Sequence, residues 1–505
     1  MSSSKLVKSS IIVSIILAIG YLVSFVKESI IANYFGVSAD VDAYTIAITI
    51  PVVLFSIVTV SIRSVIVPIY SDLFYNKTKD VADGFISNVI CCVGTIILVL
   101  IVLMELSAGY LTLFFAPGFD TATHDLSTNL LRITLLSIFF TVINDVLVGV
   151  LNVHKRFIAP ACSVFFLNLG LILTIVFLHS QYGIIAAAFG YIFGGSLSIL
   201  YISLVASKVY HFSLIFNFKD EFLGRTVKQA IPVVWSTSIA EVNAVINRVI
   251  ASFLFVGSIS ALGYANKINS ILISFFITAV ATIIYPLYAE SSAKKDMDQL
   301  SHRVNFTLSL YTMILMPLVL GVLCFRKELV SIAFARGAFD AAAVEATASL
   351  LGCYCLGLLF MSFRETLTKV FYSLQDMKTP ARNATIGILI NVALNLTLPF
   401  VIGVEGLALG TSFTAMFISL RLLFLLKKNY RQVQLGYFQK NVVGITLATL
   451  VMTVVVFAFY YVYHSTNTIA TLGIGAVVGI GAYSIGLVLF RVPVLKQAFQ
   501  MIIKK

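Results

Sequence analysis

Long apolar runs separated by short polar loops recur along the whole chain, at about 9–33, 42–70, 83–106, 126–152, 157–180, 184–207, 228–255, 262–289, 304–325, 343–373, 381–402, 405–427, 440–462 and 468–491. Each reaches the roughly 17–25 residues that a helix needs to cross a bilayer. The pattern predicts an all-α polytopic membrane protein of about fourteen transmembrane helices. The longest polar intervals are only about twenty residues, so no soluble domain fits between the runs.

Composition agrees with the pattern. Of 505 residues, 59% are hydrophobic and 11% charged, and the mean hydropathy is +1.01. A soluble chain carries about 25% charged residues, enough to cover itself in water. Met1 to Lys8 is short and basic, and the apolar run after it passes any small-residue cleavage site, as a first membrane helix does. The net charge of +12 is scattered over short loops rather than clustered, which suits anionic headgroups and topology and excludes nucleic acid as a partner.

Lys and Arg alternate between loops. One set of loops holds Lys5 and Lys8; Lys77 and Lys79; Lys155 and Arg156; Lys208, Lys219, Arg225 and Lys228; Lys294, Lys295 and Arg303; Lys378 and Arg382; Lys427, Lys428, Arg431 and Lys440; and Lys496, Lys504 and Lys505. The loops near Ser38, Ala108, Gln181, Ser258, Gly403 and Ser465 hold none. The loop with Arg326, Lys327 and Arg336 is the one exception. Both termini are therefore expected in the cytoplasm.

The chain also repeats itself. Tyr34-Phe-Gly-Val-Ser-Ala resembles Phe255-Val-Gly-Ser-Ile-Ser, Ala116-Pro-Gly-Phe-Asp120 matches Ala335-Arg-Gly-Ala-Phe-Asp340, Pro160 matches Pro380, and Gly183 to Gly190 matches Gly403 to Gly410. Every offset is about 219 to 221 residues, and it covers an even number of spans, so the copies share one orientation. The expected organisation is an N-terminal lobe at 1–207 (spans one to six), a cytoplasmic linker at 208–227, and a C-terminal lobe at 228–427 (spans seven to twelve). Spans thirteen and fourteen with a tail follow at 428–505.

Charges inside the apolar runs are the candidate chemistry. A Lys or Arg at a helix centre costs roughly 2.5–3.5 kcal/mol on insertion scales and is tolerated where it meets a partner or a water-filled cavity. Gly20, Ser24 and Lys27 share one face of the first span, and Ser56, Thr59 and Arg63 one face of the second. Thr237, Glu241 and Arg248 do so on the seventh, with Asn243 and Asn247 on an adjoining face, and Gly263, Lys267, Ser270 and Ser274 on the eighth. Cations beside hydroxyls make a polar stripe that suits a multiply charged anion, phosphate above all. Two competing arrangements are snorkelling to the headgroups and internal ion pairs, Lys27 with Asp42 and Glu241 with Arg248. No phosphate-binding loop of a nucleotide hydrolase occurs, the six histidines have no metal spacing, and the six cysteines fall in or beside apolar runs as small core residues. No enzyme, cofactor or metal site is expected.

Several stretches have a family look. Phe25-Val-Lys-Glu28, Tyr34-Phe-Gly-Val-Ser-Ala-Asp-Val-Asp-Ala-Tyr44 with Ile50-Pro51, Leu151-Asn-Val-His-Lys-Arg-Phe157, Ile259 to Ile268, Arg336-Gly-Ala-Phe-Asp340 and Phe371 to Pro380 resemble, in order, the MurJ (MviN) lipid II flippases of the multidrug/oligosaccharidyl-lipid/polysaccharide exporter superfamily. The resemblance implies two lobes that alternate access across the bacterial cytoplasmic membrane. They move an undecaprenyl-diphosphate-linked glycan, lipid II, to the outer leaflet. Independently of the resemblance, so cationic a cavity suits coupling to a membrane potential or an ion gradient. The resemblance maps diphosphate contacts to Lys27 and Lys267, both Lys where the family usually has Arg, and an acidic residue to Asp42. Phe55, Ser56 and Val60 stand where the family has an arginine pair, with Arg63 further on, and Asn247 replaces an aspartate.

The substrate-binding set is thus expected to be Lys27, Arg63, Arg248 and Lys267, with Glu28, Asp42 and Glu241 for gating and Ser24, Asn243, Asn247 and Ser270 as polar lining. The alternatives are a flippase for a capsule, O-antigen or exopolysaccharide unit and a drug/cation antiporter. A monomer working beside cell-wall synthesis proteins is expected.

Overall fold

The computed structural model describes residues 3–463 and 467–497, without the side chains of 3–11, 57–58, 61–63, 231–240, 278–279 and 282–283. Ser465, Lys504 and Lys505, which entered the charge argument, lie outside the described residues. The described secondary structure is helical throughout, the solution that a bilayer imposes, because hydrocarbon offers no partner to an open backbone N–H or C=O.

The chain divides into two compact units, one running to Ser260 and including Gly337–Phe339, the other formed by Ala261–Arg336 and the residues from Asp340 on. The first contains α1 (Ser3–Phe35), α2 (Ala39–Ser61), a π-turn at Ile62–Ile66, α3 (Val67–Asn76), α4 (Lys79–Leu106), α5 (Ala108–Phe115), α6 (Thr121–Val153), α7 (Ile158–Tyr182), α8 (Ile185–Ala206) and α9 (Glu221–Ser252). The second contains α10 (Ser258–Leu272) apart from its first residues, a π-turn at Ile273–Thr278, α11 (Ala279–Ala293), α12 (Met297–Cys324), α13 (Arg326–Phe334), α14 (Ala341–Cys355), α15 (Leu358–Ser373), α16 (Lys378–Thr397), α17 (Pro399–Ile402), α18 (Glu405–Asn429), α19 (Gly436–Val462) and α20 (Thr468–Leu489). The seventh span, α9, packs with the first unit, against α2.

Among the described residues, twelve helices are long and apolar enough to span a membrane. They correspond to twelve of the fourteen expected runs. The other two are the seventh, α9, and the eighth, which the π-turn at Ile273–Thr278 splits into shorter helices. Both second spans of the repeat carry such a π-turn ahead of a proline, Pro68 or Pro286. A π-turn widens the helix by one residue per turn and often marks a functional site.

The repeat is visible in the backbone. After α6, His154, Lys155 and Arg156 donate their N–H groups to Val150, Asn152 and Leu151 at 3.1, 3.0 and 2.8 Å, with Lys155 at φ 58°. After α15, Leu374, Gln375 and Asp376 donate to Val370, Tyr372 and Phe371 at 3.1, 3.0 and 3.0 Å, with Gln375 at φ 60°. Gly183 and Gly403 close their helices in the same positive-φ conformation, at 54° and 74°, their N–H groups bonded to His179 O and Pro399 O.

Within the first unit α7 and α8 meet through glycine. A Cβ on Gly170 would strike the backbone of Gly194, and one on Gly194 would strike that of Leu167. Lipid is as apolar as leucine, so helices in a bilayer gain from close backbone approach rather than from hiding hydrocarbon. In the second unit α19 and α20 join α12 through apolar packing of Phe325, Ile445, Met452, Val456 and Leu487, and through polar pins. Asn305 accepts from Phe438 N at 2.8 Å, Asn441 donates to Ser309 Oγ at 3.2 Å, and Tyr483 donates to Met313 O at 2.7 Å. Replacing Gly194 with Val should destabilise the first unit by about 1–3 kcal/mol through overpacking. Thermal unfolding of the purified protein in detergent tests this, and an unchanged midpoint would contradict the close approach.

Candidate functional site

Each unit carries part of the predicted set. In the first, α1 brings Ser24, Lys27 and Glu28 to half-buried positions inside an apolar helix. Lys27 Nζ lies 2.7 Å from Glu28 Oε1, with side-chain exposures of 15% and 25%. The ammonium is therefore withdrawn from lipid and already next to a carboxylate.

Arg248 is half-buried on α9, and its Nε donates to Thr49 Oγ1 on α2 at 3.3 Å. A guanidinium has five donors, and this bond uses one of them. On α2 the hydroxyls of Thr49, Ser56 and Thr59 donate to the carbonyls of Thr45, Val53 and Ser56, at 2.7, 2.8 and 3.1 Å. That leaves their lone pairs, not their protons, for a further partner. Arg63 stands in the π-turn and Thr237 on α9, and both side chains lie outside the described residues. Asn243 and Asn247 are half-buried one turn apart on α9, and Asn243 Oδ1 is covered without a hydrogen-bond partner.

Two internal ion pairs stood among the competing arrangements, Lys27 with Asp42 and Glu241 with Arg248. Asp42 is 3% exposed and makes no bond to Lys27. Its Oδ2 accepts from Gly257 N at 2.8 Å and its Oδ1 from Ser260 N at 2.7 Å. The first turn of a helix has N–H groups with no intrahelical acceptor and a positive dipole end, so a carboxylate from another helix can cap it. That double commitment takes Asp42 away from any cation. Glu241 enters no ion pair among the described residues, and Arg248 is engaged with Thr49 on α2.

Around Asp42 the backbone closes tightly: Ala338 N donates to Asn33 O at 2.8 Å, and Gly118 N to Ser252 Oγ at 3.1 Å. Gly36, at φ 62°, would drive a Cβ into Ala338 O.

In the second unit Lys267 is half-buried on α10, and Ser270 and Gly263 are exposed on the same face. Sequence reasoning missed Asn269, which is 1% exposed with an Oδ1 that has no hydrogen-bond partner. It stands one residue from Ser270, and a buried amide in an apolar helix was the available signal. It also missed Arg421, whose Nη1 donates to Asn383 Oδ1 at 2.6 Å between α18 and α16. Among the described residues no group of three or more His, Cys, Asp or Glu is placed to hold a metal.

Each unit thus presents half-buried cations with hydroxyl and amide neighbours, set in apolar helices. The family model described as "Lipid II flippase MurJ" matches residues 31–482. The chain belongs to the MurJ lipid II flippase family. The probable lipid II flippase MurJ of Rickettsia prowazekii is 28% identical over 417 residues, covering 82% of each chain. The lipid II flippase MurJ of Thermosipho africanus is 28% identical over 450 residues, covering 89% of this chain and 90% of its own. A solved MurJ structure in an inward closed conformation is 26% identical with a TM-score of 0.79, covering 95% of this chain and 99% of that one. A multidrug transporter of the MOP superfamily, inward-facing, shares the fold at TM-score 0.67 and 14% identity, over 82% of this chain and 94% of its own.

Replacing Asp42 with Ala strands two buried N–H groups, at roughly 1–3 kcal/mol each. The unfolding midpoint of the Asp42→Ala variant should fall well below the parent, with Asp42→Asn in between. A midpoint equal to the parent's would exclude the cap.

Proposed function

We propose that the chain is an alternating-access flippase that moves lipid II, a polyprenyl-diphosphate-linked glycan, from the inner to the outer leaflet of the bacterial cytoplasmic membrane. The observation that carries this is the family match over residues 31–482, joined to cations held within apolar helices. It is a transporter and not an enzyme, as the MurJ family is.

In this reading Lys27, Arg63, Arg248 and Lys267 receive the diphosphate. Arg serves as a two-toothed fork and Lys as a mobile point charge. The isoprenoid tail stays in the lipid, so only the headgroup needs a polar path. Glu28 holds the Lys27 ammonium until phosphate oxygens replace its carboxylate. Ser24, Asn243, Asn247 and Ser270 supply neutral donors and acceptors to the headgroup, and Asn243 has an acceptor oxygen with no other use.

Asp42 acts as a latch: its two bonds to the start of α10 exist or do not, as a gate requires, and Glu241 lies on the helix that leads to it. Movement of cationic side chains through the bilayer field is worth about 2.3 kcal/mol per charge per 100 mV, so a membrane potential is a sufficient drive without a bound cofactor. Both termini lie in the cytoplasm, and the chain works as a monomer alongside cell-wall synthesis proteins.

Replacing Lys27 or Lys267 with Ala removes a charge-assisted contact of about 1.5–3 kcal/mol and should weaken lipid II binding on the order of 10–100-fold. Arg at either position should retain transport. Complementation of cells depleted of their own lipid II flippase, with outer-leaflet accessibility of lipid II as readout, decides the matter. Full transport by both Ala variants would refute the cation assignment. Unchanged accessibility on depletion, in cells with no second flippase, would refute the substrate.

A further inference from the structure

The segment between α8 and α9 is a strap without helical structure at 210–217, and it presents a largely exposed apolar face. It is fastened to α4 by backbone bonds to polar side chains on the first turns of that helix. His211 N donates to Asp83 Oδ2 at 3.1 Å, Ser213 N to Ser87 Oγ at 3.1 Å, and Asn217 N to Asn88 Oδ1 at 2.8 Å. Asn88 Nδ2 returns a bond to Asn217 O at 2.9 Å. Tyr210, 4% exposed, shares a hydrogen bond of 2.8 Å with Ser87, and burial pushes its phenol up to about 12, so it stays protonated.

Side chains alternate across an extended chain. One face of the strap therefore carries His211, Ser213, Ile215 and Asn217, the other carries Phe212, Leu214 and Phe216, and Phe218 continues that apolar series at the turn that follows. The second row is exposed at 55%, 75%, 58% and 58%. Four large apolar side chains in a row, outside every membrane-spanning helix, make a face that water does not favour. Lys208 and Lys219 flank it, and Arg225 and Lys228 follow on the first turns of α9, all exposed.

The depth fits a bilayer surface. The strap begins four residues after α8 ends its span at Ala206. At 1.5 Å per residue, the stretch of α4 from Asp83 to Asn88 rises about 7.5 Å. Interfacial apolar faces sit about 5–10 Å into the boundary of headgroups and acyl chains, and basic residues beside them favour anionic lipid. We propose that this strap is an interfacial anchor, with its Phe212–Phe218 row seated in the headgroup region of an anionic leaflet and its lysines on the lipid phosphates. The inference rests on the membrane location of the chain and is independent of which glycan it carries.

The test uses a single tryptophan as a depth gauge. The chain has one, Trp235, so W235F combined with F216W leaves one reporter on the apolar row, and W235F with I215W leaves one on the opposite face. The full-length proteins are reconstituted in phosphatidylcholine vesicles with and without phosphatidylglycerol, each with lipids brominated near the headgroup or near the methyl end. Position 216 should lose emission to the shallow bromines more than to the deep ones, more so with phosphatidylglycerol, and should resist aqueous acrylamide. Position 215 should be quenched less by bromine.

Free quenching of position 216 by acrylamide with no effect of either brominated lipid would overturn the anchor. Equal bromine quenching with and without phosphatidylglycerol would overturn the anionic-lipid assignment. Lipid II transport measured in the same vesicles reads separately. A protein with the expected depth pattern and no transport fails the substrate reading and leaves the anchor standing.

Discussion

Hydrocarbon accepts no hydrogen bonds, and every feature of this chain answers to that. Backbone groups close on themselves in helices. Hydroxyls within the helices bond their own preceding turn, as Thr49, Ser56 and Thr59 do on α2. Polar side chains that cannot do this pair across helices, as Arg248 does with Thr49 and Asn441 with Ser309. Since lipid gives no hydrophobic gain between helices, tight packing and such bonds must hold the units together. The glycine contact of α7 with α8 and the asparagine pins of α12 with α19 are two solutions to one problem.

Asp42 is the most constrained of these groups. A carboxylate removed from water is costly unless its lone pairs are filled. Two N–H groups at the start of α10 fill them, at a place where a helix has donors to spare. The bond geometry depends on Gly257 and Ser260 staying where they are. A carboxylate so placed is stable while the helix start stays in reach and exposed to a severe penalty when it leaves. Two fixed backbone donors make the contact one that is held or lost as a whole, whereas an ion pair between flexible side chains would yield gradually.

The two halves of the repeat share turns but not chemistry. The turns after α6 and α15 match in bonding and in their left-handed residue, because each must reverse a helix in the same few residues. The polar residues differ. The first unit places Lys27 against Glu28, while the second has Lys267 near the buried amide of Asn269.

Most of the fold was legible in the residues. Twenty-residue apolar runs dictate membrane helices, and a fixed offset between Gly183 and Gly403 or Pro160 and Pro380 dictates a repeat, because both signals are local or periodic. The cations Lys27 and Lys267 were visible for the same reason: a charge in an apolar run has a cost that can be read without coordinates. What the sequence could not decide is which group each polar residue would meet. Asp42 was a plausible partner for Lys27 by type, yet it caps α10, whose start lies more than two hundred residues away. Asn269 and the strap on α4 were likewise hidden, since an amide or an alternating Phe-Ser-Leu-Ile-Phe acquires its meaning only from what covers it. Periodicity fixes which elements form, and tertiary packing chooses the partners, because a hydrogen bond is a matter of a few tenths of an ångström between atoms that the chain brings from far apart.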